Sequence, residues 1–464
     1  MTSAVVLLVA VIVALAAVAL RIARYERHFA YSARDELHHG FDPQRMRSVS
    51  VSIEGDNLLL PEEVAGNQLL VLEVEVTATW TGSLFDPAIQ WRRGAFSGRT
   101  YYRRGSKGRR YLLIDAVDDD ATCSLRGVHL RVHAGEARIW LCPRPDINGN
   151  RWILAPHADD AELAAFSLYG PRTWVTTVTA SEVGTVPVPG HAPRSLLEAL
   201  ARANIRSIES RAVPGFGGVP FEHTHTLGYY DGTLAEMAAQ PDTPARSSVL
   251  PLNGSGRHRR AARETGESPT WRTLVEDLAA LLREIQPTVI VAPHPILDQH
   301  ADHRFTTLAL FEALSRTVAS AANPTLLLYS NHPWGKREGR ASLAPVGPRH
   351  GLVGIHDYGV DEVLYSYPAS IRLDERALGL KQVAIESMSD LRTRGPTDDR
   401  WYTQLRRTIG SLAHPWCTYD AGYHRRNIRP NEFFYAIAPD QVAHFHARFR
   451  GALAAHTDTR ARAR

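Results

Sequence analysis

Residues 153–162 read ILAPHADDAE, an apolar run followed by one histidine and three acidic residues. The segment Trp152–Ala155 has the continuous apolar character of a strand that is buried on both faces. Comparable segments recur at Trp174–Thr179 and Val289–Ala292, and amphipathic helical stretches such as Trp271–Ile285 alternate with them. This alternation predicts an α/β domain with a mainly parallel, Rossmann-like sheet.

A second polar group, DQHADH at residues 298–303, follows the apolar segment Val289–Ala292. Because ligands bind at the carboxyl ends of strands in open α/β sheets, we expect both polar groups at one sheet edge. His300 and His303 are three residues apart, which places both imidazoles on one face of a helical turn. Two histidines and one aspartate can bind Zn²⁺ and leave a position for water. Either group alone is also compatible with a helix cap or a surface turn, but their pairing favours a metal site.

Together these two motifs resemble those of the PIG-L/LmbE-like family of metal-dependent de-N-acetylases, which act on N-acetylglucosaminyl groups. The resemblance covers roughly residues 152–438. It includes RSIE at residues 206–209, which is similar to an R-x-x-E element, and an Asp-Gly turn at residues 231–232. Ala158 stands where the family usually has proline, a change that concerns the rigidity of the loop more than activity.

The resemblance implies three metal ligands drawn from the two motifs: His157, Asp160 and His303. Asp159 would be the general base, and His300 would protonate or steady the tetrahedral intermediate. Asp302 would orient a histidine from behind. Arg206 and Asp231 would contact the sugar, although structural ion pairs explain these two residues equally well. The expected ion is Zn²⁺, with Fe²⁺ as the alternative.

The region before this domain alternates apolar and polar residues with period two, which predicts a β-sandwich domain over residues 46–147. Within it, Arg92–Arg110 contains eight basic residues and no acidic one. Such a segment could bind phosphates or anionic headgroups. Alternatively, it is a polar sheet face whose arginine stems cover apolar surface.

Ala4–Leu20 is an uninterrupted run of 17 apolar residues, about 26 Å long as a helix and barely enough to cross a bilayer. It predicts a transmembrane anchor over residues 1–24, with a cleaved signal peptide as the alternative. Arg21, Arg24 and Arg27 follow the run, so we expect the catalytic domain on the cytoplasmic face. The deacetylase domain is expected over residues 150–440, followed by a basic tail over 441–464.

Composition excludes several other classes. The 53 basic and 49 acidic residues leave a net charge of +4, too small to imply nucleic-acid binding. Three widely spaced cysteines exclude a cysteine-based zinc site and favour buried thiols, with a Cys123–Cys142 bridge as the alternative. The segment Ala238–Ser268 is rich in proline, glycine and serine and predicts a long loop, either a lid that gates the pocket or a tolerated insertion.

The sequence therefore predicts a membrane-tethered, zinc-dependent hydrolase. Its substrate would be an N-acetylated amino sugar in a glycolipid, a lipid-linked saccharide or a polysaccharide, from which it would remove the acetyl group. One alternative is an amidase that acts on another amide conjugate. A second is a non-catalytic saccharide-binding membrane protein, which would have no need for a base beside a metal.

Overall fold

The computed structural model describes most of the chain between residues 41 and 451, with gaps. The described residues are 13, 33–34, 36, 41–61, 64, 69–85, 87–94, 96–115, 122–183, 196–247, 268–298, 300–317, 324–332, 366–389, 391, 428 and 431–451.

The amino-terminal part of the described chain is an antiparallel sheet of nine strands. These are β1 (Arg47–Glu54), β2 (Asn57–Leu59), β3 (Leu69–Ala78), β4 (Ala88–Arg93), β5 (Phe96–Tyr101), β6 (Lys107–Asp115), β7 (Thr122–Val128), β8 (Leu130–Val132) and β9 (Gly135–Cys142). The strand order is β5-β4-β7-β2-β1-β9-β3-β6, and β8 pairs with β3.

The predicted β-sandwich is wrong, because these strands belong to one hydrogen-bonded sheet rather than to two stacked ones. Apolar side chains from all nine strands contribute to or pack against a single buried cluster, so the sheet curls around its own core. Alternation with period two has the same appearance in both architectures, since it records only which residues face inward. The expected strands are therefore present, but their arrangement differs from the prediction.

A second sheet of seven strands follows. Its strands are β10 (Arg151–Ala155), β11 (Thr173–Thr179), β12 (Thr224–Tyr229), β13 (Val289–Pro293), β14 (Thr325–Tyr329), β15 (Tyr367–Arg372) and β16 (Asn431–Ile437). Their order is β12-β11-β10-β13-β14-β16-β15.

The prediction of a mainly parallel, Rossmann-like sheet is corrected to a mixed sheet. The five strands from β12 to β14 are parallel, but β16 is antiparallel to β14, and β15 is antiparallel to β16. A buried apolar run looks the same whether its neighbour is parallel or antiparallel, so the sequence pattern could not show this edge.

Six described α-helices accompany the second sheet. They are α1 (Asp160–Ala164), α2 (Leu196–Ala212), α3 (Leu234–Ala239), α4 (Trp271–Ile285), α5 (Ala301–Thr317) and α6 (Glu375–Ser387). Residues 442–451 are also helical. Helix α4 has the predicted bounds. Its first turn is fixed by a reciprocal capping box between Thr270 and Thr273, and Gln286 ends it in the left-handed conformation.

A shared apolar cluster joins the two sheets. Leu69, Val71 and Leu113 of the first sheet belong to the same buried cluster as Val175 and Val289 of the second. The inner faces of both sheets therefore exclude water together.

Three of the eight basic residues in Arg92–Arg110 are buried: Arg93, Arg103 and Arg110. This favours the interpretation in which arginine side chains cover the sheet's apolar surface. Cys123 and Cys142 are free and buried, as expected, and burial raises the pKa of the Cys123 thiol to about 12. Cys417 lies outside the described residues.

The predicted transmembrane anchor over residues 1–24 falls almost entirely outside the described residues. In the part of the chain that the structure describes, no helix is long and apolar enough to cross a membrane. Of the segment Ala4–Leu20, only Val13 lies within the described residues.

Candidate metal centre and active site

Polar side chains collect where the parallel strands of the second sheet end. The sequence motif at residues 157–160 follows β10, and the motif at residues 298–303 follows β13. Strands β10 and β13 are neighbours, and the chain order runs outward from them in both directions. This is a topological switch point, the place where open α/β sheets bind their ligands.

Local hydrogen bonds shape the first motif. The backbone N–H of His157 donates to Asp160 Oδ2 at 2.9 Å, which closes a tight turn after β10. Helix α1 begins at Asp160, and Asp159 precedes it as the N-cap residue. The acidic pair is thereby held at the positive end of the helix. In the second motif, the buried His294 accepts hydrogen bonds from the N–H groups of Ile296 and Leu297, which fixes the turn leading to Asp298.

Three potential donor atoms surround one point. His157 Nδ1 lies 3.3 Å from Asp160 Oδ2 and 3.2 Å from His303 Nε2, and the last two atoms are 3.1 Å apart. Donors bound tetrahedrally at ~2.0–2.1 Å from zinc lie about 3.3 Å from one another. His300 also brings a ring nitrogen within 4.8 Å of His157 and His303. The predicted ligands are therefore together, and their atoms fit a tetrahedral divalent ion.

Each of these side chains is fixed from behind. Asp298 Oδ2 lies 3.0 Å from His303 Nδ1, and Asp302 Oδ2 lies 3.3 Å from His157 Nε2. Asn331 donates through Nδ2 to Asp160 Oδ1 at 2.8 Å. Carboxylates behind histidine ligands orient the rings and raise their basicity, as in many zinc sites.

The carboxylates around His157 and His303 stabilise positive charge on both rings. Burial alone would lower the pKa of His303, but Asp160 and Asp298 raise it to about 10. The pKa of His157 is also well above its usual range, because the neighbouring carboxylates outweigh the effect of burial. The pKa of Asp160 is well below its usual range because the two histidines outweigh its burial. A divalent cation would replace the protons on these two rings, so loading releases protons.

His300 has the opposite character. Burial, together with the charges of His157 and His303, lowers the pKa of His300 to about 4. Its ring stands edge-on to that of His157, with 4.8 Å between ring centroids. His300 is therefore neutral near pH 7 and able to donate one N–H hydrogen bond.

Asp159 pairs with a buried arginine. Its Oδ1 accepts a hydrogen bond from Arg206 Nη2 at 2.9 Å, and the Arg206 side chain is only 4% exposed. The guanidinium therefore binds the predicted base, while a contact of Arg206 with the sugar stays a prediction.

Asp231 lies on the opposite side of His157, with its Oδ1 3.3 Å from His157 Nε2. Its backbone N–H points to both carboxylate oxygens of Glu182, at 3.2 Å each. Ser247 Oγ donates to the same carboxylate at 2.9 Å. Burial raises the pKa of Glu182 to about 7. Most of the predicted loop Ala238–Ser268 lies outside the described residues, so its gating role stays a prediction.

Three site residues had no role assigned to them from the sequence: Asp298, which begins the second motif, Glu182 and Asn331. Each follows the end of a strand, β13, β11 and β14 respectively, at the edge that also carries the two motifs. Their position after a strand end was the sequence feature that could have identified them. It did not distinguish these residues from ordinary polar residues in turns.

Residues 152–314 match the family model described as PIG-L, GlcNAc-PI de-N-acetylase. Residues 152–314 form a PIG-L domain. The family resemblance expected from the two motifs is thereby confirmed. The PIG-L domain contains His157, Asp160 and His303, whereas Asn331 lies beyond the matched segment. The match supports an enzyme that removes acetyl groups from N-acetylated sugars.

Two solved structures resemble the chain that contains the PIG-L domain. One is an N,N′-diacetylchitobiose deacetylase from Pyrococcus horikoshii, complexed with its inhibitor MPG, at 16% identity and a TM-score of 0.34; the match covers 64% of this chain and 87% of that chain. Another is GalB, the 4-carboxy-2-hydroxymuconate hydratase from Pseudomonas putida KT2440, at 14% identity and a TM-score of 0.31, covering 63% and 97%. Among curated proteins, no sequence matches this chain.

Proposed function

We propose that this chain is a metal-dependent hydrolase that removes the acetyl group from an N-acetylated amino sugar in a glycolipid, a lipid-linked saccharide or a polysaccharide. The observation that carries the proposal is the convergence of His157 Nδ1, Asp160 Oδ2 and His303 Nε2 within 3.1 to 3.3 Å. The carboxylate of Asp159, next in sequence to Asp160, pairs with Arg206 through Oδ1. A binding protein needs no such carboxylate next to a metal.

His157, Asp160 and His303 would hold the ion, and a bound Zn²⁺ or Fe²⁺ would act as a Lewis acid toward water and the amide carbonyl. The remaining chemistry belongs to the protein's own groups. Asp159 has Oδ1 engaged by Arg206, which leaves Oδ2 to take a proton from water. As the carbon–nitrogen bond breaks, the same carboxyl returns that proton to the leaving amine. The products are acetate and the free amino sugar.

His300 steadies the oxyanion in this proposal. With its pKa lowered to about 4, the imidazole is neutral and is a poor proton donor to the amine near pH 7. A neutral ring still donates an N–H hydrogen bond, which strengthens as negative charge develops on the carbonyl oxygen. Of the two roles expected for His300, stabilisation of the intermediate therefore agrees better with its surroundings.

Asp302 keeps His157 in place. Its Oδ2 faces His157 Nε2 and accepts from the N–H of Gly232 at 2.6 Å, while Oδ1 accepts from the N–H of Leu234 at 3.3 Å. The carboxylate thus connects the histidine to the turn that carries Asp231. We place the sugar on the Asp231 side of His157, where hydroxyl groups can reach its carboxylate.

The test is acetate release from N-acetylglucosaminyl substrates by the full-length chain. We expect release that a chelator abolishes and that added Zn²⁺ or Fe²⁺ restores. Hydrolysis of other amides without acetate release from amino sugars would favour the amidase alternative. Sugar binding without hydrolysis at saturating metal would refute the proposal. Cytoplasmic placement stays a prediction, to be checked with a reporter that is active only in the cytoplasm.

A further inference from the structure

A chain of polar contacts links Asp159 to the far end of helix α6. Arg206 donates to Asp159 Oδ1 through Nη2, and its Nη1 lies 4.0 Å from Glu209 Oε2. Glu209 in turn accepts two hydrogen bonds from Ser389, which follows α6. The backbone N–H of Ser389 donates to Oε1 at 2.8 Å and its hydroxyl donates to Oε2 at 3.1 Å.

The contacts on Glu209 fix its orientation. Two hydrogen bonds from one residue hold both carboxylate oxygens, and the side chain is 13% exposed. Because Arg206 and Glu209 are three residues apart on α2, their side chains leave the same face of the helix. A planar guanidinium that pairs with Asp159 and lies beside an oriented Glu209 has little rotational freedom.

We infer that Glu209 and Ser389 are positioning residues that hold Arg206 and, through it, Asp159. The inference rests on the proposed function, since it takes Asp159 as the base. A base must lie within hydrogen-bond reach of the proton that it accepts. The pair with Arg206 keeps Oδ1 on the protein side, so that Oδ2 faces the water. Neither Glu209 nor Ser389 contacts the substrate in this assignment.

The assignment predicts a specific kinetic pattern in the metal-loaded, full-length protein. Arg206→Ala should lower kcat about 100-fold, the usual order of loss when a reacting group is misplaced by about 1 Å. Glu209→Gln should lower kcat about 10-fold and Ser389→Ala about threefold, since each loosens Arg206 without removing it. KM and metal content should stay at the wild-type values in Glu209→Gln and Ser389→Ala, because neither residue touches sugar or ion in this assignment. Arg206→Lys, which keeps the charge, should recover part of the loss.

A double-mutant cycle separates this role from a general structural one. Glu209→Gln should have no further effect on kcat in the Arg206→Ala background, because Glu209 acts through Arg206. Ser387→Ala is the matched control, since its hydroxyl donates within α6 to the carbonyl of Val383 at 2.7 Å. This control should leave kcat unchanged.

Three results would overturn the inference: a rise in KM at constant kcat, equal effects of Glu209→Gln in both backgrounds, or wild-type kcat in all variants. If the wild-type protein released no acetate, the proposed function would fail first. Crystal structures of the wild-type protein and of Glu209→Gln would then test the contacts among Asp159, Arg206 and Glu209 independently of activity. An Asp159–Arg206 pair unchanged in Glu209→Gln would refute it, and a displaced Asp159 side chain would support it.

Discussion

Replacement of Asp298 by asparagine tests the support of the metal centre most directly. Asp298 is fully buried, and its carboxylate accepts four hydrogen bonds. On Oδ2 these come from His303 Nδ1 at 3.0 Å, Asn331 N at 3.0 Å and His332 N at 3.2 Å; on Oδ1 the donor is His300 N at 3.0 Å. Burial alone would raise the pKa of Asp298, but His303 and these donors lower it to about 2, so the carboxylate is ionised.

The four donors determine how much Asp298→Asn should cost in stability and in metal affinity. Asparagine has one acceptor oxygen and one NH₂ group, so in either orientation its NH₂ faces a donor. With the oxygen toward His303, only the N–H of His300 loses its partner, at a cost of about 1–3 kcal/mol. The lost charge also weakens the orientation of His303. Changes of this kind lower metal affinity about 10- to 100-fold, or about 1.4–2.8 kcal/mol.

The assay is a competition titration of Zn²⁺ against a chromophoric chelator, together with urea unfolding of the metal-free protein. Asp277→Asn is the matched control, because Asp277 is also buried and accepts from the Tyr229 hydroxyl at 2.7 Å. It should lose stability without losing metal affinity. A wild-type affinity in Asp298→Asn would refute the argument.

Three further predictions follow from the same contacts. His303→Ala should abolish metal loading, whereas Asp159→Asn should retain the ion and lose turnover; metal analysis and acetate release check both. Because the pKa of Glu182 is raised to about 7, the free energy of unfolding should fall by about 3 kcal/mol as the pH rises from about 4.5 to 7 and then level off. Urea unfolding at pH 5 and 8 should show a smaller difference in Glu182→Gln. Lys381→Ala should lower the free energy of unfolding, measured with urea, by about 3–5 kcal/mol. The substitution removes the ammonium group whose Nζ lies 2.5 Å from Oε1 of the buried Glu432.

The sequence was most informative where a local pattern and a chemical requirement coincide. The apolar runs predicted β10, β11 and β13 to within a residue or two, and helix α4 with its observed bounds. The side chains of the predicted ligands His157, Asp160 and His303 lie together, because the two motifs follow neighbouring strands. These features depend on short segments whose residue types leave few alternatives.

The sequence was less informative where the outcome depends on pairing between distant segments. Strand β16 pairs antiparallel to β14 although its composition is that of any buried strand. Asn331 reaches Asp160 from 171 residues away, and nothing in its local sequence distinguishes it from a turn asparagine. The pairing of Arg206 with Asp159 likewise depends on how α2 packs against the sheet, which periodicity does not encode.

The apolar cluster between the two sheets has a consequence for dissecting the chain. A shortened protein that began near residue 150 would expose to water the aliphatic side chains of Val175 and Val289, now buried with Leu69 and Val71. Each such side chain contributes about 1.5–3 kcal/mol by its burial, against a typical total stability of about 5–15 kcal/mol. Removing the amino-terminal sheet would thus cost the remaining half much of its folding free energy and leave an exposed apolar surface. We therefore expect that the segments carrying the two sheets must be expressed and purified together as one polypeptide.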